Sequence, residues 1–430
     1  MARRRPVLGV ALATILGAGL LSACSSDPVP TGVTIGWADK SRQAVQVSWE
    51  DSDAPNRISI QGVVSTSPSY VKYLAAGEPN AWAIPTAAFP PDGNYKVAVE
   101  TGTSTGGVTS KAALSPLFDT DGPLRPSDAV ATPRGNDVVV TWNVPPPSQD
   151  FSPGDPLDVP AGSQRYVPVI GTAGQPFRVV GAGTTATRQV VKNVRPPYFF
   201  QLRATNEWSS LTGGEISGRT SSTTAGAPTV WTFGTQMLVK GRTVQQEISC
   251  PESLCVTQQT TSAGLPVVLQ AQVRPGGPWV EAGRGRTQLG GYFEVRATAA
   301  GTRNYRVYAP LDSRAGALSA PSLSKPSLSS SRTAIQAAGY AGGNVKNRND
   351  VVTAVVVVRP VVNGTAMLQF WNSRTWVNAK AVPMKNSRAS VAFRATRPGV
   401  FAYRFMVPGT SYGGTPIYAN ATPSMVLNVR

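Results

Sequence analysis

No histidine occurs in the 430 residues of this chain. Its absence excludes Ser-His-Asp and Cys-His catalysis and every His-ligated zinc, copper or iron site. Cysteine occurs three times, too few for a zinc site of four thiolates. Acidic side chains thin out along the chain. Beyond residue 226 only Glu247, Glu252, Glu281, Glu294, Asp312 and Asp350 remain. They fall on separate predicted elements, so no pair is set up for the two-carboxylate chemistry of glycoside hydrolysis. No GxxxxGK phosphate loop is present, and no GxGxxG follows a strand and opens a helix. Two Ser-x-x-Lys segments, Ser69–Lys72 and Ser322–Lys325, stand without Lys-Thr-Gly or Ser-Asp-Asn and match chance occurrence. Glu50, Asp51 and Asp53 cluster after a strand-like run. Their spacing does not match an EF-hand calcium loop, and they read as a solvated loop. Beyond the first 30 residues the longest apolar run is Val351–Val358, eight residues counting Thr353, where a membrane span needs about 20. No enzyme, cofactor or metal is expected.

What is present is apolar material and punctuation. The hydrophobic fraction is 41%, and Gly 42 plus Pro 37 gives 79 turn-forming residues. Period-2 apolar runs recur about every ten residues between Gly, Pro, Asn, Asp and Ser clusters. That spacing predicts an all-β chain of sandwich-sized units of about 100 residues each.

The N-terminus sets the expected compartment. Arg3, Arg4 and Arg5 precede an uncharged stretch, Val7 to Leu21, short for a span and suited to a signal sequence. Leu21-Ser22-Ala23-Cys24 resembles the lipobox of bacterial lipoproteins. The resemblance implies cleavage after residue 23, acylation of Cys24 (palmitate among the chains) and a location on the extracytoplasmic face of the cell membrane. Two or three acyl chains, at about 0.8 kcal/mol per buried methylene, anchor durably. Export by the general or the twin-arginine route stays open. The remaining cysteines, Cys250 and Cys255, close a short loop, and in an oxidising compartment a structural disulfide is expected.

Internal repeats organise the rest. Ala44–Trp49 corresponds to Asp137–Trp142, each run ending in Trp, and Asp92–Val99 corresponds to Tyr198–Asn206. In the latter Tyr198, Phe200, Leu202 and Ala204 share one face. This pattern resembles the fibronectin type III domain, which implies core positions for Trp142 and Tyr198. Residues 145–165, rich in Pro, Gly and Asp, read as a loop insertion. In the second half Arg296-Ala297-Thr298, Gly301, Tyr305-Arg306 and Pro310 recur 98 residues later, and Trp279-Val280 recurs 97 later. Leu269–Val273 and Val355–Val358 read as matching strands before each Trp, and the pattern resembles bacterial immunoglobulin-like surface domains. The expected order is a signal peptide (1–23), a tether (24–31), fibronectin-like domains (32–122 and 123–226) and immunoglobulin-like repeats (227–322 and 323–430). Ala315 to Ser331 reads as the linker between the repeats.

Charge is sorted along this order. Residues 24–226 carry 15 basic and 17 acidic groups, a net of −2, whereas 227–430 carry 22 and 6, a net of +16. Seventeen of the 22 are Arg, whose planar fork suits phosphate and carboxylate oxygens. The distal half is therefore expected to bind anionic cell-wall glycopolymers or another envelope protein, with no specific nucleic-acid role. A competing reading is a carbohydrate-binding accessory to polysaccharide hydrolysis. Candidate contacts are Trp371 with Arg374, and Arg284 with Arg286 near Trp279. The repeated Trp279 and Trp376 are expected in the cores.

Overall fold

The computed structural model describes residues 28–430 except 65, 66, 148, 161, 162, 252 and 253. The signal sequence and Cys24 lie outside the described residues. Among those residues the chain is all-β, with two single-turn 3-10 helices, Thr86–Ala88 and Leu289–Gly291. It forms two compact units. The first holds residues up to Pro123 together with Pro147–Ser163 and Asn206–Ser209; the second holds Leu124–Pro146, Gln164–Thr205 and Ser210–Arg430.

The first unit is a sandwich. The sheet of Thr31–Trp37, Ala44–Glu50 and Ala81–Pro85 faces one built on Tyr70–Leu74, Asn56–Gly62 and Asn94–Thr103. Alternation in Ala44–Glu50 sends Val45, Val47 and Trp49 inward, where they meet Ile58, Ile60, Val97 and Val99. Each such side chain contributes about 1.5–3 kcal/mol by leaving water. The insertion carries no strand among its described residues before Arg165 but is held by side-chain bonds. Asp155 Oδ1 accepts from the Leu157 N–H at 2.6 Å and Asp155 Oδ2 from the Asp119 N–H at 3.0 Å. Leu157 then seats in this core. Trp208 joins it, with ring centroids 5.1 Å from Trp37, 5.8 Å from Phe89 and 6.3 Å from Phe118. Asn206 Oδ1 accepts from the N–H groups of Trp208 and Ser209, which fixes the turn that carries the indole.

The second unit contains three sandwiches. In the first of them Tyr198, Phe200, Leu202 and Ala204 all point inward, and Trp142 and Tyr198 are buried together. Its last strand does not stop at the boundary. Ser210–Gly226 pairs with Tyr198–Thr205 along its first half, and with Gln236–Ser249 of the next sandwich over Thr220–Gly226. The segment 315–331 is not a linker. Ala317–Ser319 runs parallel to Ser217–Arg219 and buries Leu318 in the preceding core. Ser327–Arg332 pairs with Arg303–Ala309. The small serines that give this stretch its linker-like composition are used as acceptors: Ser324 Oγ takes the Val307 N–H at 2.8 Å and Ser319 Oγ takes Gln245 Nε2 at 2.6 Å. Ser327–Arg332 thus closes the third sandwich, and the strands of the fourth open at Ala334–Ala341 rather than at 323.

Cys250 and Cys255 are joined by a disulfide. It rests on Gly171 at the end of Arg165–Gly171, where a Cβ would lie 2.6 Å from one sulfur and 2.5 Å from the other. Between the last two sandwiches, the hairpin of Thr410–Tyr412 and Thr415–Ile417 reaches back. Thr302 N–H donates to Pro416 O at 2.9 Å, and Phe233 meets Tyr412 edge-on at 5.0 Å. Gly301, at φ +113°, leaves room for Thr415, whose Oγ1 would be 1.8 Å from a Cβ.

The fourth sandwich is one sheet folded over on itself. Trp376–Lys385 pairs with Gly364–Trp371 and, at its end, with Arg388–Arg394. Val356, Val358, Leu368, Val382, Val391 and Phe405 fill its centre. Val351–Arg359 pairs with Arg388–Arg394, and Gly364–Trp371 is the strand that precedes Trp376. The counterpart of Pro266–Gln272 is therefore Gly364–Trp371, not the Val355–Val358 run.

Candidate functional site

Trp279 and Trp376 are not in the cores. Both are half-buried on the outer faces of their sheets, and neither joins a core cluster. Each lies under an arginine from a strand of the same sheet. The guanidinium carbon of Arg306 sits 4.2 Å from the Trp279 ring centroid, and that of Arg404 sits 4.5 Å from Trp376. A cation over an indole face is worth about 0.5–1 kcal/mol when exposed and more as water is removed.

The register makes the arrangement. Gln270 opposes Arg306 across one strand pair, and Gln369 opposes Arg404 across the other. Directly opposed residues share a face with Cβ atoms about 5 Å apart. Arg306 Nε donates to Gln270 Oε1 at 2.8 Å, and Arg404 Nε donates to Gln369 Oε1 at 2.8 Å. Gln369 Nε2 in turn donates to Asn378 Oδ1 at 2.8 Å. Neither arginine forms an ion pair with a carboxylate among the described residues. Each guanidinium is thus oriented through Nε and stacked on indole, and its Nη donors have no hydrogen-bond partner among the described residues. Glutamine, tryptophan and arginine recur at offsets of 99, 97 and 98 residues. The sequence carried the signal in the repeated Tyr-Arg dipeptide, whose Tyr faces inward and whose Arg must then face outward.

The sequence-predicted contacts divide. Trp371 is exposed, at 42%, and pairs directly across from Trp376 with centroids 5.4 Å apart and planes inclined by 56°. Arg374 is exposed in the turn between them, where Asn372 Oδ1 accepts from its backbone N–H at 3.0 Å. It is Arg404, not Arg374, that covers Trp376. Arg284 is spent on a carboxylate: its Nε and Nη2 donate to Glu281 at 2.6 and 2.9 Å. The hydrogen bond to Arg284 lowers the Glu281 carboxyl below its ordinary range. Arg286 Nη1 donates to Gly264 O at 2.8 Å. Arg306 is the arginine that stacks on Trp279. The position of Trp371 is held in the third sandwich by Gln272, which opposes Trp279.

In the fourth sandwich the outward-facing arginines divide between the two layers. Arg359, Arg388 and Arg394 lie exposed on the outer side of one layer of the fourth sandwich, and Arg404 lies on the other layer. Among the described residues no group of three or more acidic or thiol side chains could hold a metal ion. Asp51 is engaged instead in its loop, accepting from Asn56 Nδ2 at 2.9 Å and the Ser52 N–H at 2.7 Å.

No protein-family model matches this chain, and no curated protein matches it. Solved structures similar to it are tandem β-domain chains. A tetra-tandem repeat from the extending region of a large adhesion protein is 13% identical, covers 92% of this chain and 99% of its own, and gives a TM-score of 0.26. The FN1–FN3 domains of chicken CNTN1 are 15% identical over 71% of this chain and 100% of theirs, at 0.24. The I9–I11 tandem of titin is 10% identical over 72% and 98%, at 0.23. At such TM-scores the similarity says nothing about a ligand.

Proposed function

We propose that this chain is a non-catalytic, lipid-anchored protein of the cell envelope that holds an anionic polymer on its two C-terminal sandwiches. The observation that carries this reading is the twice-built guanidinium of Arg306 and Arg404, stacked, oriented and without a carboxylate partner among the described residues. The net charge of +16 over residues 227–430 adds a long-range field that draws polyanions in. Because Arg359, Arg388 and Arg394 lie on the layer opposite Arg404, the stacked arginines, not that cluster, give the polymer its footing.

The full chain in detergent, applied to a heparin or polyphosphate column, is expected to elute at a salt concentration well above that of the Arg306→Gln/Arg404→Gln double variant. The slope of log affinity against log salt should fall by about one per arginine removed. The surface double variant Arg388→Gln/Arg394→Gln should shift elution less. Equal elution of the wild type and the Arg306/Arg404 variant would overturn the proposal.

Anchoring rests on the resemblance at Leu21-Ser22-Ala23-Cys24. Cells fed labelled palmitate are expected to label the wild-type chain and not Cys24→Ser, and only the wild type should partition with membranes. Label retained by Cys24→Ser rules out this anchor.

A further inference from the structure

The two stacked arginines are alike, but what stands beside them is not. In the fourth sandwich Trp371 lies across from Trp376 on the same outer face, with 42% of its surface open. In the third sandwich the equivalent neighbour is Gln272. One site offers an oriented charge alone; the other offers the same charge beside a two-indole platform. No Asp or Glu occurs in residues 351–430, the segment that carries every residue of the platform, and Arg404 forms no ion pair among the described residues.

From this we infer that the fourth-sandwich site binds an acidic saccharide, a pyranose ring bearing a carboxylate or phosphate, with the ring on Trp371 and the acid group on Arg404. The C–H face of a saturated ring covers an exposed indole without needing a slot. A planar base sandwiched between two aromatic rings does need one, and Trp371 and Trp376, already in contact at 5.4 Å and inclined by 56°, leave none. Gln369, bonded to both Arg404 and Asn378, holds the guanidinium beside the platform at a set position. Arg374, in the turn that joins the two indoles, adds a second cation at the rim. The inference rests on the anionic-polymer reading above and narrows it: the third sandwich reads charge, and the fourth reads charge together with a ring.

The test uses the full chain and probes in pairs that match in acid group and differ in the ring: trigalacturonate against citrate, and glucose 6-phosphate against glycerol phosphate. Neutral maltotriose and an oligothymidylate are the remaining arms. Indole fluorescence and calorimetry are read together. At one site per chain, the ring-bearing member of a pair should bind about tenfold more tightly than its ring-free partner, a gain on the scale of aromatic stacking. The larger ratio of the two pairs tells whether carboxylate or phosphate sugars are preferred. In Trp371→Gln, which installs the residue of the sister sandwich, the ratio should fall to near one. In Gln272→Trp a second ring-preferring site should appear. A ratio near one in the wild type, a ratio that survives Trp371→Gln, maltotriose binding as well as trigalacturonate, or oligothymidylate displacing both acidic sugars would each overturn the inference. If the ring-free anions bind while the ratio is one, the anionic-polymer reading stands and only this narrowing fails. If no anion binds at all, the broader reading fails with it.

Discussion

Trp208→Ala is expected to destabilise the first unit by about 3–5 kcal/mol, the range for deleting a large buried aromatic. The side chain is 7% exposed and touches Trp37, Phe89 and Phe118. The loss combines transfer of the indole to water with the cavity left among those rings. Domains hold only about 5–15 kcal/mol in total, so the variant unit should unfold at a urea concentration lower by 1 M or more. Trp208→Phe should fall in between. The informative comparison is with the second unit, to which the flanking strands Tyr198–Thr205 and Ser210–Gly226 belong. Its transition should hardly move. A loss below about 1 kcal/mol in the first unit, or a loss of equal size in the second, contradicts the packing described.

Alkali should weaken the second unit through Tyr198. Burial disfavours the phenolate and pushes its pKa up to about 12, against an ordinary value of 10.0. The folded state therefore keeps the proton longer than the unfolded chain does. Stability from this group is complete below pH 10 and is lost as pH rises through about 12. Two pKa units at 1.36 kcal/mol each make the loss roughly 2.7 kcal/mol. Burial also raises Tyr305, Tyr340 and Tyr403 in the same unit, so Tyr198→Phe should reduce the alkaline decline rather than abolish it. Near neutral pH the same variant should cost almost nothing or stabilise slightly, because the buried Tyr198 hydroxyl has no hydrogen-bond partner among the described residues. Urea melts at several pH values, with tyrosinate absorbance followed alongside, measure both effects. A decline of unchanged size in Tyr198→Phe, or a loss above 1 kcal/mol at pH 7, argues against this account.

The fold was legible where one face of a strand is apolar. The alternation through Tyr198, Phe200, Leu202 and Ala204 needs no partner to be read, and the structure buries all four. Composition misled where small polar side chains serve as acceptors. The Ser- and Ala-rich stretch 315–331 reads as a linker, yet Leu318 is 2% exposed in a core to which its own sandwich does not belong. The second pair of repeats is legible in the 98-residue spacing, but sequence alone pairs Leu269–Val273 with Val355–Val358, one strand out of step. The Val351–Val358 run is the most strand-like segment of the half and drew the match away from Gly364–Trp371. In that alignment the equivalence of Gln270 with Gln369 and of Gln272 with Trp371 is lost. Repeated tryptophan suggested a core because large aromatics are usually buried. In each of the last two sandwiches one indole is covered from outside by arginine. The repeated Tyr-Arg dipeptide marks these arginines as outward-facing, but the cross-strand bond from Gln that orients each of them shows only in the structure.

Ser210–Gly226 belongs to two sheets at once, and no hinge interrupts it. A tensile load entering the second sandwich through this strand is delivered to the third as shear on the ladder formed by Thr220–Gly226. There is no slack segment between them to extend first, and no exposed joint for a protease to enter. The pair should therefore yield as one block, and a tug on a polymer held at Arg306 would be transmitted down this single stretch of backbone.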